Sequence, residues 1–268
     1  MKKVSVIIPC FNQGKYVKEA INSVLNQTYE NIEIICINDG SVDNTAEIIT
    51  SLADKYKILF FNFKENKGVI HARNFGIDAS TGDYILPLDA DDTIEPTYVE
   101  KAVKILDEKP EIGIVYCKAK KFKKKSKIWK LKEYKFESFL YRNCIFNCAL
   151  FRKSNFLQAG KYKDNLKYGC EDWDLWLSLI ELNLKPYQIN EFLFNYRQHE
   201  NSRSKLVNKN HEWQKELIKN HIDLYLNNDE FIERIFSKKQ GKKYKFLYNT
   251  FLFFSLLELI IIAWMWIK

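Results

Sequence analysis

Three carboxylates within four residues, those of Asp89, Asp91 and Asp92, follow the apolar run Tyr84–Leu88. Like charges this close repel and raise one another's pKa, so a buried strand does not normally end in them. A divalent cation among the carboxylates would relieve that repulsion. Oxygen ligands suit Mg²⁺ or Mn²⁺, and Mg²⁺ usually completes its shell with water and phosphate oxygens. The cluster therefore indicates a metal-held phosphate ester; the alternative is a solvated acidic turn that caps the next helix.

Two further acidic positions could take part in the same chemistry. Glu171-Asp172 precedes apolar residues with helical spacing, where acids are ordinary partners of the helix dipole. A carboxylate can also accept the proton of an attacking hydroxyl as general base. Asp39 follows the apolar run Ile32–Ile37, and either binds a ligand or satisfies the backbone of the Gly40-Ser41 turn.

Alternating apolar runs and amphipathic segments predict the elements that must position these acids. This β-α-β-α order predicts a mostly parallel sheet with right-handed crossovers, flanked by helices. Asp39 and the aspartates at 89–92 would then share the rim at the carboxyl ends of the strands, where ligands bind in such sheets. The predicted strands are Val4–Pro9, Ile32–Ile37, Ile58–Phe63, Tyr84–Leu88 and Ile112–Cys117.

Length and charge restrict the class of protein. A chain of 268 residues can bury a large core, as one large domain or one domain with an appendage. Residues 1–115 hold 12 basic and 18 acidic side chains, whereas the remainder holds 30 and 16. A basic second half favours an anionic partner, such as nucleic acid, a phosphorylated substrate or a membrane surface.

The cysteines and the N-terminus indicate a cytoplasmic protein. The six cysteines include no C-x-x-C pair, so we expect reduced thiols rather than a disulfide framework or a zinc site. The apolar run before Pro9 is too short for the core of a signal peptide. We interpret it as the first strand.

Two lysine-rich segments leave alternatives open. Residues 118–135 contain ten lysines and one glutamate, which is typical of a solvated loop or edge hairpin, or of a patch that binds anionic lipid or phosphate. A second lysine cluster precedes Phe246–Ile267, which is long enough to span a bilayer, although Glu258 near its middle weakens that interpretation. This tail is either a membrane-inserted or interfacial helix with its lysines on the cytoplasmic side, or a helix packed on the domain or on a second copy.

Seven motifs follow one another along about residues 4 to 203. They are Val4–Asn12, Ser23–Tyr29, Asn38–Thr45, Asn66–Gly76, Leu88–Asp92, Gly169–Trp176 and Tyr196–His199. In this order they resemble glycosyltransferase family 2, a group with the GT-A fold. The resemblance implies a Rossmann-like, mostly parallel sheet with a helical C-terminal extension. We expect residues 1–115 to form the nucleotide-sugar-binding half, 116–205 the acceptor-binding and catalytic half, and 206–268 the extension.

The resemblance also implies an activity. It predicts an inverting, metal-dependent hexosyl- or N-acetylhexosaminyltransferase that uses Mn²⁺ or Mg²⁺ and moves a sugar from a nucleotide sugar, first of all a UDP-sugar. The acceptor would be a hydroxyl of a glycan or a lipid-linked saccharide, as in lipopolysaccharide or polysaccharide assembly. The chain would work at the cytoplasmic face of the inner membrane through residues 238–268, as a possible homodimer and without nucleic acid.

The same resemblance distributes roles among the site residues. Asp172 would be the general base with Glu171 beside it, and Arg73 would reach the diphosphate or the base unless it is an ordinary exposed helix arginine. Phe11 lacks the hydroxyl that relatives often have, so it offers stacking only; Arg197 and Arg203 are weaker phosphate-binding candidates. Nucleotide-sugar binding is assigned to Pro9, Phe11, Asn12, Asp39, Arg73, Asp89, Ala90 and Asp91, and metal binding to Asp91, Asp92 and His199.

Two other functions would account for part of the sequence. A nucleotidyltransferase that makes nucleotide sugars would need a glycine-rich phosphate loop near the N-terminus, and Pro9–Gly14 contains one glycine. A basic scaffold that binds membrane or nucleic acid without catalysis would account for the lysines. It would leave the acidic clusters unexplained.

Overall fold

The computed structural model describes residues 1–123, 126–166, 169–198 and 212–229. Three of the sequence-based predictions fall outside these ranges: the metal ligand His199, the phosphate-binding candidate Arg203, and the tail that begins at Lys238. They stay predictions. Among the described residues, no helix is both long and apolar enough to cross a membrane.

The first half of the chain builds a parallel sheet in the order β3-β2-β1-β4. Every residue of β1 is buried, because its two edges pair with β2 and β4 and its apolar side chains pack with those of the flanking helices in one core. A strand covered on both faces needs a continuous apolar run rather than an alternating one, and this run is the clearest strand signal in the sequence. The strands are β1 Val4–Cys10, β2 Ile32–Asp39, β3 Leu59–Phe63 and β4 Tyr84–Pro87.

Four helices accompany these strands, in agreement with the predicted alternation of strands and helices. The buried side chains of the first helix, Val17, Ala20, Ile21 and Val24, recur at helical spacing and face the sheet. The helices are α1 Val17–Leu25, α2 Thr45–Tyr56, α3 Val69–Ala79 and α4 Tyr98–Glu108.

The second half extends the same sheet, in the order β4-β8-β6-β9-β5, and β7 pairs with the end of β6. The long pairing here, between β6 and β9, is parallel, whereas the antiparallel pairings are short. The predicted fold class, α/β with a mostly parallel sheet, is confirmed. The strands are β5 Thr93–Ile94, β6 Ile112–Phe122, β7 Ser126–Trp129, β8 Leu150–Arg152 and β9 Lys185–Arg197.

The remaining helices pack around this second half. They are α5 Phe136–Phe139, α6 Lys153–Gln158, α7 Glu171–Glu181, α8 Glu212–Asn220 and α9 Ile222–Leu226, with a 3-10 turn at Asp164–Leu166.

All six cysteines are free thiols, as expected, and five of them are buried.

A buried charge cluster attaches the C-terminal helices to α7. Asp174 and His221 are fully buried, and Asp174 Oδ1 lies 3.0 Å from His221 Nε2. Asn220 donates a hydrogen bond of 2.7 Å to the same carboxylate, and Lys163 Nζ lies 3.2 Å from its other oxygen. His221 Nδ1 lies 3.0 Å from Glu181 Oε2, although its N–H is not aligned with that oxygen.

This cluster makes stability depend on pH. Burial opposes the charge of His221, but the carboxylates of Asp174 and Glu181 outweigh it and raise the pKa of His221. The protonated form of His221 therefore stabilises the fold. This stabilisation is complete below the histidine pKa of the unfolded chain, about 6.5, and is lost as pH rises through the higher pKa of the folded state. We expect His221→Gln to lower the free energy of unfolding by about 3 kcal/mol at pH 6 and by less at pH 9.

Urea unfolding at the two pH values measures this difference. Asn220→Ala serves as the control, because it removes a hydrogen bond to Asp174 without removing a titrating group. Its loss of stability should be the same at pH 6 and pH 9. An equal loss at both pH values for His221→Gln would contradict the ion-pair account.

Candidate active site

The acidic residues singled out in the first half lie at the carboxyl ends of adjacent parallel strands. Asp39 is the last residue of β2, and Asp89–Asp92 begin two residues beyond β4. The Leu88 N–H donates to the carbonyl of Ile7 at 2.9 Å, so the backbone stays paired with β1 up to the first aspartate. The structure therefore places these acids on one rim of the sheet.

Arg73 joins this rim to the acidic pair of the second half. Its guanidinium is 3% exposed, and it donates to Asp89 Oδ1 and to Glu171 Oε1, each at 2.7 Å. Burial disfavours its charge, but the two carboxylates outweigh that effect and hold the pKa of Arg73 above its ordinary value. The alternative of an exposed helix arginine is wrong. The guanidinium of Arg73 therefore binds two carboxylates of the protein itself.

Asp172 lies beside this bridge at the first turn of α7. It is half-buried, and its Oδ1 accepts the backbone N–H of Trp173 at 2.7 Å. Burial, and then repulsion from Glu171, raise the pKa of Asp172 to about 7, while Arg73 partly offsets the rise. A carboxyl group with this pKa can release and accept a proton near neutral pH, which is the property that a general base needs.

Asp92 faces β9. It is 2% exposed, and its Oδ1 accepts the backbone N–H of Arg197 at 2.7 Å. Burial, followed by repulsion from Asp91 and Asp89, raises the pKa of Asp92 well above its usual value. Asp89 and Asp91 are half-buried instead.

Arg197 holds the end of β9 against the aspartate cluster. Its Nε donates to the carbonyl of Asp91 at 2.7 Å, and Nη2 lies 2.5 Å from Glu19 Oε2. The guanidinium also lies between the rings of Tyr16 and Phe122, at 4.5 and 4.4 Å from their centroids. The chain therefore leaves β9 immediately beside Asp91, two residues before the predicted ligand His199.

The donor groups at this site suit a hard divalent cation, although they do not form a complete cage. Among the described residues, no three His, Cys, Asp or Glu side chains are grouped closely enough to hold a metal. Mg²⁺ and similar ions are often bound by one or two carboxylates plus substrate phosphates. The half-buried carboxylate of Asp91 is an oxygen donor of this kind.

Asp39 caps the start of α3. Its carboxylate accepts the backbone N–H groups of Lys67 and Gly68 at 2.9 and 2.8 Å. These partners differ from the Gly40-Ser41 backbone considered from the sequence. Gly40 has φ +71°, and a Cβ there would lie 2.5 Å from backbone atoms of residues 65 and 66, so the close approach of the two loops requires glycine.

The loop after β1 is braced against the loop after β2. Asn12 accepts the N–H of Val42 at 3.0 Å through its side chain, and its own N–H donates to Ser41 Oγ at 2.9 Å. Pro9 is buried, whereas Phe11 is 46% exposed at the rim. An exposed ring held on a braced loop can stack against a planar base.

Two residues that the sequence analysis did not select lie in the same network. Asn147 Nδ2 is 3.5 Å from Asp89 Oδ1, and the buried Tyr162 donates its hydroxyl to Asn147 Oδ1 at 3.4 Å. The Tyr162 ring lies 5.7 Å from the Arg73 guanidinium. Both residues come from segments without a periodic pattern, so no local signal identifies them.

The sequence is similar to those of known proteins. The model of the family described as Glycosyl transferase family 2 matches residues 5–167. An uncharacterised glycosyltransferase of Haemophilus influenzae is 34% identical over 248 residues, which are 84% of this chain and 74% of that protein. One of Rickettsia typhi is 37% identical over 209 residues; the match covers 74% of this chain and 64% of that protein.

Solved structures share the fold. TarS of S. aureus, residues 1–349 in complex with UDP-GlcNAc, gives a TM-score of 0.71 at 20% identity, covering 90% of this chain and 75% of that one. The mannosyltransferase PcManGT of Pyrobaculum calidifontis, in complex with GDP-Man and Mn²⁺, gives a TM-score of 0.60 at 18% identity, covering 84% and 63%.

Proposed function

The chain belongs to glycosyltransferase family 2 and has the GT-A fold, and on that premise we propose that it transfers a sugar from a nucleotide sugar to a hydroxyl of a glycan or lipid-linked acceptor, with inversion. One observation carries the proposal. Arg73 bridges Asp89 and Glu171, so the proposed general base Asp172 lies next to the proposed donor site.

The transfer is a single displacement. The acceptor oxygen attacks the anomeric carbon from the face opposite the diphosphate, a new C–O bond forms, and the bond from that carbon to the diphosphate oxygen breaks. The acceptor proton passes to the Asp172 carboxylate, and the nucleoside diphosphate leaves with the bonding electron pair. The pKa of about 7 keeps a useful fraction of Asp172 ionised at neutral pH.

The donor would lie along the rim between the braced loops and the aspartate cluster. The exposed Phe11 would stack on the base, and Asp89 would stand near the ribose and diphosphate. Asp91 would hold Mn²⁺ or Mg²⁺, with Asp92 and His199 as further candidates. When bound, the ion supplies positive charge that stabilises the departing diphosphate. The remaining proposed donor contacts are Pro9, Asn12, Asp39, Arg73 and Ala90.

A UDP-sugar is the first donor to test. TarS was solved with UDP-GlcNAc and PcManGT with GDP-Man, so similar folds accept either base. We expect one donor of a nucleotide-sugar panel to be hydrolysed or transferred in the presence of Mn²⁺, with a product of inverted anomeric configuration. Absence of turnover with every donor, together with absence of nucleoside diphosphate binding, would overturn the proposal.

Replacement of Asp91 tests the metal assignment. We expect Asp91→Asn to lower turnover by about 100-fold, because charge stabilisation by a metal contributes several kcal/mol. Chelation should abolish wild-type activity, and added Mn²⁺ or Mg²⁺ should restore it. Asp54→Asn, an exposed change on α2, is the matched control and should leave turnover unchanged. Full activity of Asp91→Asn, or activity that survives chelation, would exclude this role.

A further inference from the structure

We propose that the sheet face presented by Lys121 of β6, by Lys127 and Trp129 of β7, and by Tyr196 of β9 binds an acceptor glycan that carries phosphate or carboxylate groups. We call this surface the lysine ribbon. The inference rests on the proposed function and specifies the chemical class of its acceptor.

Protection of a sheet edge does not account for the lysines of β6. Lysines often protect exposed edge strands from pairing with other chains, and Lys127 of the edge strand β7 fits that role. Residues 119–122 of β6, however, are paired with β7 on one side and with β9 on the other. Lys120 and Lys121 therefore lie on an interior strand, where no free edge needs protection.

The register places two of these charges directly opposite each other. Lys121 of β6 is the cross-strand partner of Lys127 of β7. Like charges in opposite positions destabilise a sheet. Among the described residues, no carboxylate lies within 4.0 Å of the ammonium group of Lys118, Lys120 or Lys121. An anion bound between Lys121 and Lys127 would offset this repulsion.

A row of aromatic rings connects the lysine ribbon to the acidic site. Phe146 directly precedes Asn147, the neighbour of Asp89, and its ring lies 6.2 Å from that of Trp129. The Trp129 ring lies 5.0 Å from that of Tyr196. Lys121 Nζ lies 4.2 Å from the Trp129 centroid and 5.9 Å from that of Tyr196. Phe146 is buried, so the row joins the two regions through the core, and the half-buried rings of Trp129 and Tyr196 are the ones beside Lys121 that a ligand could reach.

This combination suits a charged saccharide. The C–H faces of a pyranose ring pack on aromatic rings, and a lysine ammonium is a point charge that pairs with phosphate or carboxylate. Lys121 is half-buried beside Trp129, and burial lowers its pKa. A flexible saccharide can reach such a recessed charge, whereas a flat bilayer surface contacts the outermost side chains. The observations therefore favour a glycan over a membrane.

Binding of defined oligosaccharides to the full chain tests the inference. The probes are an oligogalacturonide with its neutral methyl ester, and a phosphomannan oligosaccharide with and without phosphatase treatment. We expect at least one charged probe to bind more tightly than its neutral counterpart. The pair of probes that shows this difference identifies the recognised group as carboxylate or phosphate. K121Q/K127Q should weaken that binding by about tenfold. K121R/K127R, which keeps both charges, should retain it.

Control proteins separate the outcomes. K55Q/K104Q removes two charges from exposed positions of α2 and α4, and should bind the probes as the wild type does. Equal affinity for charged and neutral probes, or equal binding by K121Q/K127Q and this control, would overturn the inference. So would vesicle sedimentation that depends on Lys121 and Lys127 without saccharide binding. Turnover of the nucleotide-sugar panel and binding of UDP and GDP with Mn²⁺ are measured in parallel: absence of both turnover and binding contradicts the proposed function, whereas probe failure alone contradicts this inference.

Discussion

Asp172→Asn is expected to lower turnover by about 1,000-fold, the middle of the range for loss of a general base, while nucleoside diphosphate binding is retained. Asparagine keeps an oxygen that can accept the Trp173 N–H, so α7 should still begin at the same place. The variant cannot take the acceptor proton. Steady-state kinetics and calorimetric titration with UDP and Mn²⁺ measure the two properties separately.

The raised pKa of Asp172 predicts two further pH effects. Wild-type turnover should fall as pH drops below about 7, because the carboxylate becomes protonated. The folded state favours the neutral form of Asp172. The free energy of unfolding therefore falls as pH rises toward the pKa of Asp172 in the folded state, and the loss is complete above that pKa. Asp172→Asn should therefore be more stable than the wild type above pH 7.

A surface substitution of the same chemistry is the control for Asp172. Asp164→Asn changes an exposed carboxylate in the 3-10 turn, and should leave turnover and its pH profile unchanged. Wild-type turnover by Asp172→Asn would remove this residue as the base. Retained turnover at pH 5 in the wild type would contradict the pKa argument.

Arg73→Met is expected to lower the free energy of unfolding by about 3–5 kcal/mol, because it leaves buried charge without its partner. Glu171 is buried and Asp89 is half-buried, and both lose a 2.7 Å ion pair. The loss should be larger at pH 8 than at pH 5, since protonation relieves the unpaired carboxylates. Turnover should fall as well, because the bridge between the donor acids and α7 is removed.

A double-mutant cycle isolates the ion pair from the change in packing. The variant Arg73→Met/Glu171→Gln should be less destabilised than the sum of its single changes, because neutralising Glu171 removes one unpaired charge. Arg73→Lys should restore only part of the stability, since a lysine lacks the planar fork that reaches both carboxylates. The ion-pair bridge would be contradicted if the losses in free energy of unfolding were additive and the loss for Arg73→Met were the same at pH 5 and pH 8.

The sequence predicted the first half of the fold because its signals are local. The continuous apolar run of β1 and the helical spacing of α1 and α4 each depend on residues a few positions apart. The run Ile112–Cys117 was likewise predicted as a strand, but β6 continues to Phe122. Its last residues include lysines that resemble a solvated loop, and they are held in the sheet by pairing with β9, which lies about 75 residues later.

The residue types identified the acids of the site, and the order of the motifs identified the family. Neither identified the hydrogen-bond partners of those acids. Asp39 caps α3 through Lys67 and Gly68, and Asp92 accepts the N–H of Arg197, which is 105 residues away. Asn147 and Tyr162 carry no local signal at all. Such partnerships depend on where the sheet brings distant segments together, and that information is absent from any short window of sequence.

The sequence by itself therefore determined the strand–helix alternation, the acidic clusters at the strand ends and the membership of a family, because each is a pattern of residue types along the chain. Only the tertiary structure decided that Arg73, 98 residues from Glu171, joins the two acidic groups, and that burial and the neighbouring Glu171 raise the pKa of Asp172. The physical reason is that electrostatic energy depends on distance and burial in three dimensions, and packing sets both.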